Sequence, residues 1–307
     1  MPENDFLNYL ALRFPPRPPV VVGIGDDGAV LQLPADGRLV TVTDMLLDGV
    51  HFRLDEIDPA LAGRKAVAVN LSDLAAMAAA PVAAFVSLAI PRSLTRSRPG
   101  WIERLYDGIE KLSREYNFTV AGGDTNAWSG PFAINVCLLG TAMCSRIPLR
   151  SDARPGDLLY VTGALGGSLI HGRHLTFRPR FDAIRWLVDH VTVHALMDLS
   201  DGLATDLPRM MRASGSGAVL RSSSIPVHTD VPADLAAEAR LAAALSDGED
   251  FELLFTVPAE EALKLEQAPQ GLTFIPIGEV TENPAIMLQD DGGRTVPLPA
   301  GGWQHGI

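Results

Sequence analysis

The chain has 307 residues, enough for two domains of ordinary size, and 47% of them are hydrophobic, which provides for a substantial core. The net charge of −12 argues against a nucleic-acid-binding surface, which needs basic side chains facing phosphates. It allows a phosphate-binding enzyme, because acidic side chains can hold magnesium and magnesium can hold phosphate. The two cysteines, Cys137 and Cys144, lie in an apolar stretch and are expected to be buried, reduced thiols.

The N-terminal residues begin acidic and lack the basic and apolar regions of a signal peptide. One stretch, residues 74–90, is apolar enough to resemble a membrane span, but it is short, rich in alanine and interrupted by Pro81. We interpret it as a buried helix, a turn at Pro81 and a buried strand. We therefore expect a soluble, cytoplasmic protein with no membrane and no nucleic-acid partner.

In the first half of the chain, hydrophobic periodicity and breaker residues predict alternating helices and strands. Helices are predicted at 5–14, 59–79 and 99–116, and strands at 20–24, 38–43, 83–90, 118–121 and 132–143. A polar segment rich in turn-forming residues follows at 150–157. It places the predicted domain boundary between residues 148 and 149, with domains 1–148 and 149–307.

The second half continues the alternation of strands and helices. Strands are predicted at 158–162 and 252–257, helices within 181–196 and at 203–212, and a final small sheet at 273–277 and 285–288. The predicted fold class is therefore α/β or α+β.

Aspartates recur where predicted strands or helices meet turns. They are Asp26, Asp27, Asp44, Asp73, Asp124, Asp198 and Asp201. A single Asp-Gly turn is an ordinary solvated turn, but five such segments with apolar flanks favour a common site. Carboxylates gathered in one place repel one another unless divalent cations share them, and oxygen-only ligands suit magnesium or calcium. Because magnesium bridges to phosphates, the pattern favours a phosphoryl-transfer site.

The familiar nucleotide-binding motifs do not account for this pattern. The chain has no Walker loop and no protein-kinase signature. Gly23, Gly25 and Gly28 do match the spacing of a dinucleotide-binding loop. We reject that reading because Asp26 and Asp27 would occupy the place where a pyrophosphate must approach bare backbone N–H groups.

Six segments, taken together, resemble the thiamine-monophosphate kinase family of the aminoimidazole-ribotide-synthetase-like superfamily. They are GIGDDGAVL, TVTDMLLDGVHF, GRKAVAVNLSDLAAMAAAP, AGGDT, MDLSDGLATDL and SDGEDFELLFTV, in the family's order and approximate spacing. The resemblance spans about residues 6–257 and a C-terminal aromatic residue. It implies a two-domain fold with an N-terminal β-barrel formed across a homodimer and a C-terminal α/β domain that closes over the nucleotide.

The resemblance also implies roles for individual residues. Several magnesium ions would be held by Asp27, Thr43, Asp44, Asp73, Asp124, Asp198 and Asp201, with Asp26 as a further candidate. ATP would contact Gly122, Gly123, Arg150 and Ser200. Thiamine monophosphate would contact His51, Glu249 and Trp303, the last of which could instead pack on the core. Lys65 would either neutralise phosphate charge or be a surface lysine.

A terminal phosphate is already a nucleophile at neutral pH, so we expect no acid–base residue and no phosphoenzyme. Direct in-line transfer would rest on positioning and on neutralisation of charge. Trp303 could stack on the cationic thiazolium ring, a contact of about 0.5–2 kcal/mol.

Two alternatives stay open: another superfamily enzyme acting on a different acceptor, or a non-catalytic nucleotide-binding homologue. Residues 163–180 are shorter than the resemblance leads us to expect, which leaves the acceptor less defined than the nucleotide. The pairs His171/His174 and His190/His194 have zinc-like spacing, but the sequence offers them no fitting cysteine or carboxylate partner.

Overall fold

The computed structural model describes residues 3–24, 28–33, 37–94 and 98–303. The chain divides into two compact units. The first comprises residues 1–74 and 79–142, and the second comprises residues 75–78 and 143–307. The predicted boundary lies a few residues beyond the break at residue 142, and the separate roles assigned to the two halves stay a prediction.

The first unit is a sheet covered on one face by helices. Its helices are α1 (Glu3–Arg13), α2 (Pro59–Ala76) and α3 (Trp101–Glu115), and its strands are β1 (Val20–Val22), β2 (Val30–Leu31), β3 (Leu39–Leu47), β4 (Ala79–Pro91), β5 (Thr119–Trp128) and β6 (Ala133–Ala142). The main sheet has the order β3-β6-β4-β5, with β4 and β5 parallel and the other pairs antiparallel. Strands β1 and β2 form a separate antiparallel pair.

Helices α2 and α3 cross at glycines. A Cβ atom at Gly63 would lie 2.0 Å from the backbone oxygen of Leu105, and one at Gly108 would lie 1.9 Å from that of Ala60. Any larger residue would therefore push the helices apart. Alternating residues of β4 and β6 are buried, so one sheet face belongs to the core. The opposite face, which we call the open face, is more exposed and carries Leu39 and Met45.

The second unit is built around a seven-stranded sheet. Its strands are β7 (Leu158–Val161), β8 (Leu196–Asp198), β9 (Gly217–Arg221), β10 (Leu253–Val257), β11 (Ile275–Thr281), β12 (Ile286–Gln289) and β13 (Thr295–Pro297), and its helices are α4 (Arg173–Thr176), α5 (Phe181–His190), α6 (Leu203–Ser214), α7 (Ala237–Ser246) and α8 (Ala262–Leu265). The sheet order is β13-β12-β9-β11-β7-β10-β8, and only β9 and β12 run parallel among these neighbours.

Several expectations need correction. Pro81 lies inside β4, not at a turn, because a bulge between Pro81 and Ala83 tolerates its missing N–H. The chain instead turns at Ala78, whose φ is +47°. The C-terminal strands join the large sheet and do not form a small one, because β11 pairs with both β7 and β9. Among the described residues, no helix is long and apolar enough to cross a membrane.

Three site aspartates were expected at turns but lie inside regular elements. Asp44 is in the middle of β3, Asp73 is within α2, and Asp124 is within β5. The glycines before Asp124 suggested a turn, but Gly123 is paired with Val86 of β4, where a Cβ atom would lie 1.8 Å from the backbone oxygen of Val86. Glycine therefore serves close strand packing here rather than a reversal of the chain.

Candidate active site

In the first unit, the carboxyl groups of Asp44 and Asp73 are hydrogen-bonded to each other. Strand β3 supplies the first and helix α2 the second, so the pair bridges the sheet and the helix that covers it. Burial raises the pKa of Asp44, against the smaller lowering effects of the hydrogen bond with Asp73 and the charge of His51. Two acids in contact at a half-buried position form an oxygen-only site suited to a hard cation.

His51 and Lys65 lie next to this pair in the fold. The Nδ1 atom of His51 accepts a hydrogen bond from the Leu47 backbone N–H at 3.0 Å. Lys65 is fully buried, and its Nζ donates to the backbone oxygen of His51 at 2.8 Å. The surface-lysine reading is therefore wrong. The lysine brings a positive charge to the loop that carries His51, because its side chain reaches inward from α2.

Asp124 lies on the open face, in a row with Ser87, Asn135 and Met45 across the four strands. Its carboxylate accepts hydrogen bonds from the Thr125 backbone N–H at 2.9 Å and from the Asn126 side chain at 2.8 Å. On the same face, the hydroxyl of Thr43 donates to the Oδ1 atom of Asn135 at 3.2 Å. These contacts leave oxygen atoms of Asp124 and Thr43 at an exposed surface.

The sheet separates the acidic positions of the first unit. Asp44 is paired with Val136, whose side chain belongs to the core face, whereas Asp124 belongs to the open face three strands away. Across the sheet this is three spacings of about 4.8 Å each. Within the ranges that the structure describes, no three histidine, cysteine, aspartate or glutamate side chains gather in a metal-binding group. Asp26 and Asp27 lie outside the described residues, so convergence of all the predicted ligands stays a prediction.

A cavity of about 1390 Å³ opens beside Asp124 in the first unit. Its lining includes backbone and polar side-chain groups from Ser87, Gly122, Gly123, Asp124 and Asn126. It also includes apolar and aromatic residues: Phe6 and Leu10 of α1 and Trp101, Ile102 and Tyr106 of α3. The cavity therefore combines polar groups suited to phosphates with apolar surface suited to a flat ring.

In the second unit, Asp198 ends β8 and Asp201 lies in the turn before α6. Asp206 of α6 accepts a hydrogen bond from the Asp201 backbone N–H at 3.0 Å, and Arg209 donates to Asp201 at 2.5 Å and to Asp206 at 2.7 Å. Burial raises the pKa of Asp206 to about 7, with the charges of Asp201 and Asp198 adding to the shift. Asp206 lies in the segment MDLSDGLATDL, but its hydrogen bond to the Asp201 N–H forms only once α6 is folded.

The turn at Ser200 is joined to the segment of Glu249. The Glu249 backbone N–H donates to the Ser200 oxygen at 2.7 Å, and the Trp303 backbone N–H donates to the Asp201 oxygen at 3.0 Å. Trp303 is 52% exposed, so its side chain is not buried in the core. The structure thus brings together Ser200, Asp201, Glu249 and Trp303, which come from three distant parts of the sequence.

The remaining candidates have separate surroundings. Arg150 is exposed in a short 3₁₀ helix, Arg150–Asp152, and its backbone oxygen accepts from the Ser214 hydroxyl at 2.8 Å. The Nδ1 atom of His194 contacts Asp157 at 2.9 Å, whereas His190 stacks on Trp186 with ring centroids 4.7 Å apart. His190 and His194 therefore have distinct partners.

Sequence reasoning missed three arginines in the second unit. Arg209 contacts Asp201, Arg173 contacts Asp230 and Asp250, and Arg180 contacts Glu252. Arg173 and Asp250 are 77 residues apart, so no local motif joins them. The one feature of the sequence that could have indicated these ion pairs is the density of acids at 247–252, because acids that become buried need cationic partners.

Two family descriptions match the chain in succession. The first is "AIR synthase related protein, N-terminal domain", over residues 25–142, and the second is "AIR synthase related protein, C-terminal domain", over residues 154–291. Together they account for more than half of the chain.

Characterised relatives match over nearly the whole length. The thiamine-monophosphate kinase of Rhodopirellula baltica is 42% identical over 287 residues, which are 91% of this chain and 89% of that protein. The crystal structure of thiamine-monophosphate kinase from Stenotrophomonas maltophilia K279a is 30% identical, with a TM-score of 0.78 over 94% of this chain and 95% of that one. A structure of AaThiL complexed with AMPPCP and TMP is 29% identical, with a TM-score of 0.73 over 99% and 96%.

Proposed function

We propose that this chain, which belongs to the thiamine-monophosphate kinases of the AIR synthase related family, transfers the terminal phosphoryl group of ATP to thiamine monophosphate, forming thiamine diphosphate and ADP. The observation that carries the proposal is the 42% identity to a thiamine-monophosphate kinase over 91% of the chain. The likeness to a structure complexed with AMPPCP and TMP supports the same pair of substrates. With ATP as co-substrate, we place the reaction in the cytoplasm.

For ATP, we assign the cavity of the first unit. Gly122 and Gly123 line this cavity and offer backbone groups to the phosphates, and the apolar residues of α1 and α3 in its lining suit the adenine ring. From the family resemblance, we add Arg150 and Ser200 as further contacts to the nucleotide.

For magnesium, we propose separate acidic positions rather than one cluster within a single unit. Asp44 and Asp73 form one position, and Asp124 and Thr43 supply ligands at two further positions, because β5 and β3 are three strands apart. Asp26 and Asp27 lie outside the described residues and stay predicted ligands. Asp198 and Asp201 supply ligands from the second unit. The donors are oxygen atoms, and the raised pKa of Asp44 fits an acid that a cation would hold in its charged form. When bound, magnesium neutralises the charge of the two polyanions and bridges phosphate oxygens.

For thiamine monophosphate, we assign Glu249 and Trp303 to the ring system and His51 to the phosphate. The buried Lys65 adds positive charge through its hydrogen bond to the backbone oxygen of His51. The exposed Trp303 ring offers a face to the cationic thiazolium, and the Glu249 carboxylate adds opposite charge. No side chain needs to act as a base, because the acceptor phosphate is already ionised at neutral pH. The chain's own contribution is to align two phosphates for in-line transfer and to exclude competing geometries.

We further propose that the open face of the first unit forms a β-barrel with a second copy of the chain. The exposed Leu39 and Met45, at 46% and 59% exposure, would be covered in such a barrel. Sedimentation of the purified protein should give a dimer, and Met45→Lys should shift it toward monomers. A monomeric wild-type protein would rule the barrel out.

The test of function is an assay of the purified chain with ATP, magnesium and thiamine monophosphate. We expect thiamine diphosphate and one ADP per turnover, and no product from thiamine, which lacks the acceptor phosphate. ATP consumption only with a different phosphorylated acceptor would instead support the alternative superfamily enzyme. Nucleotide binding without turnover on any acceptor would support the non-catalytic homologue.

A further inference from the structure

The segment that carries Glu249 has an unusual backbone. Glu249 and Phe251 have φ values of +53° and +52°, and Gly248 before them has +71°. Side chains other than glycine rarely adopt this left-handed conformation, which costs on the order of 1 kcal/mol or more at each such residue. Two such residues within three positions persist only if the surrounding contacts fix them.

Some of those contacts come from the turn at Ser200, and others come from the shortened stretch at 163–180. Ser168 is fully buried, and its hydroxyl donates to the backbone oxygen of Glu249 at 2.6 Å. The Gly166 N–H donates to the Asp250 carboxylate at 3.0 Å, and the Gly167 N–H donates to that of Asp247 at 2.8 Å. The stretch therefore holds both sides of Glu249.

Arg173 adds further contacts that hold the segment of Glu249. Arg173 donates to Asp250 at 3.1 Å, to Asp230 at 2.9 Å and to the Gly166 backbone oxygen at 2.6 Å. Its side chain is 17% exposed and that of Asp250 is 1% exposed. A second contact stacks Phe177 on Phe251, with ring centroids 4.1 Å apart. The stretch at 163–180 thus helps to hold the two left-handed residues, in addition to the hydrogen bonds that their backbone N–H groups donate to Ser200 and Leu199.

We infer that Ser168 and Arg173 are positioning residues that hold Glu249 in its left-handed conformation and thereby direct its carboxylate at the acceptor substrate. This rests on the proposed function, in which Glu249 contacts thiamine monophosphate. The stretch is shorter than the family resemblance leads us to expect, yet its remaining residues make these contacts. We assign it to acceptor binding rather than to phosphoryl transfer.

Steady-state kinetics of Ser168→Ala and Arg173→Gln test the inference, with Ser223→Ala as a control for an exposed serine. We expect the KM for thiamine monophosphate to rise about tenfold, with kcat and the KM for ATP changed less than about twofold. Should Arg173→Gln fail to fold, Ser168→Ala and Arg173→Lys decide the question. A KM for thiamine monophosphate in Ser168→Ala equal to that of the control overturns the inference.

A double variant separates positioning from general loosening of the fold. If Ser168 acts through Glu249, Ser168→Ala should add nothing to the KM for thiamine monophosphate once Glu249→Gln is present. Independent, multiplying effects of the two changes would show that Ser168 acts by another route. If the wild type does not phosphorylate thiamine monophosphate at all, it is the proposed function that fails.

The variant Glu249→Gly tests the strained backbone directly, without an activity assay. Glu249→Gly removes the cost of the left-handed conformation and should raise the midpoint of thermal unfolding by a few degrees above that of Glu249→Gln. A midpoint below that of Glu249→Gln would contradict stored strain at this position.

Discussion

The acids around the Ser200 and Glu249 segments of the second unit and the predicted metal ligands of the first unit are compensated in different ways. In the second unit, arginines form ion pairs with these acids: Arg209 with Asp201 and Asp206, Arg173 with Asp230 and Asp250, and Arg180 with Glu252. In the first unit, Asp44 contacts a second acid, Asp73, and Asp124 contacts a backbone N–H and an amide.

This difference indicates which acids serve the fold and which are available to a cation. An acid paired with an arginine is already compensated, and breaking such a pair where it is buried destabilises the protein. An acid whose described contacts are neutral donors or another acid can be stabilised by an external cation. Asp201 belongs to both groups of acids, because it is a predicted metal ligand and also accepts a hydrogen bond from Arg209.

The largest expected effect is on catalysis at Asp124. Asp124→Asn should lower kcat by about 100-fold or more, because it removes the negative charge that is proposed to bind magnesium. Among the described residues no lysine or arginine pairs with that charge, and the neutral amide retains much of the local hydrogen bonding. Thermal unfolding should be close to that of the wild type. Asp55→Asn, at a carboxylate that is 76% exposed, is the matched control. Near-normal turnover in Asp124→Asn would contradict its assignment as a metal ligand.

A smaller effect concerns pH and an acid paired with arginine. Burial raises the pKa of Asp250 to about 7, above its ordinary value of 3.8, against the lowering effects of Gly166 and Arg173. The folded state keeps a proton that the unfolded state loses, so the contribution of Asp250 to the free energy of unfolding falls as pH rises from about 4 to about 7.

Asp250→Asn cannot titrate and should lack this decline. Urea unfolding at pH 5 and pH 7.5 should show that the variant becomes more stable relative to the wild type as pH rises, by on the order of 2–3 kcal/mol between these two pH values. Asp234→Asn, at an exposed position, should follow the wild type at both pH values. Parallel pH profiles for Asp250→Asn and the wild type would show that the buried acid is fully compensated by its arginine.

The smallest effect concerns the acid pair. Asp44→Asn should stabilise the metal-free protein by about 1 kcal/mol, because it removes the cost of burying a carboxylate next to Asp73. Magnesium should raise the unfolding midpoint of the wild type more than that of the variant, since a ligand that binds only the folded state stabilises it. Thermal unfolding in EDTA and in magnesium chloride measures both. Equal magnesium-induced shifts would remove Asp44 from the metal site.

Much of the fold could be predicted because periodicity is a local property. The apolar spacing of Ile102, Leu105, Ile109 and Leu112 predicted the helix observed at Trp101–Glu115, and the β-branched run at 38–43 predicted part of β3. The short strand Gly217–Arg221 and the helix Ala237–Ser246 were missed. The helix is rich in alanine, so its apolar and polar faces differ little.

The sequence by itself determined the fold class, the family and the types of residue available for phosphoryl transfer, because these depend on local patterns and their order along the chain. Only the tertiary structure decided that Lys65 is buried, that Asp44 contacts Asp73 while Asp124 occupies the opposite face of the sheet, and that Arg173 secures the segment of Glu249. The physical reason is that burial and charge compensation depend on which distant residues meet, and partners such as Arg173 and Asp250 are 77 residues apart.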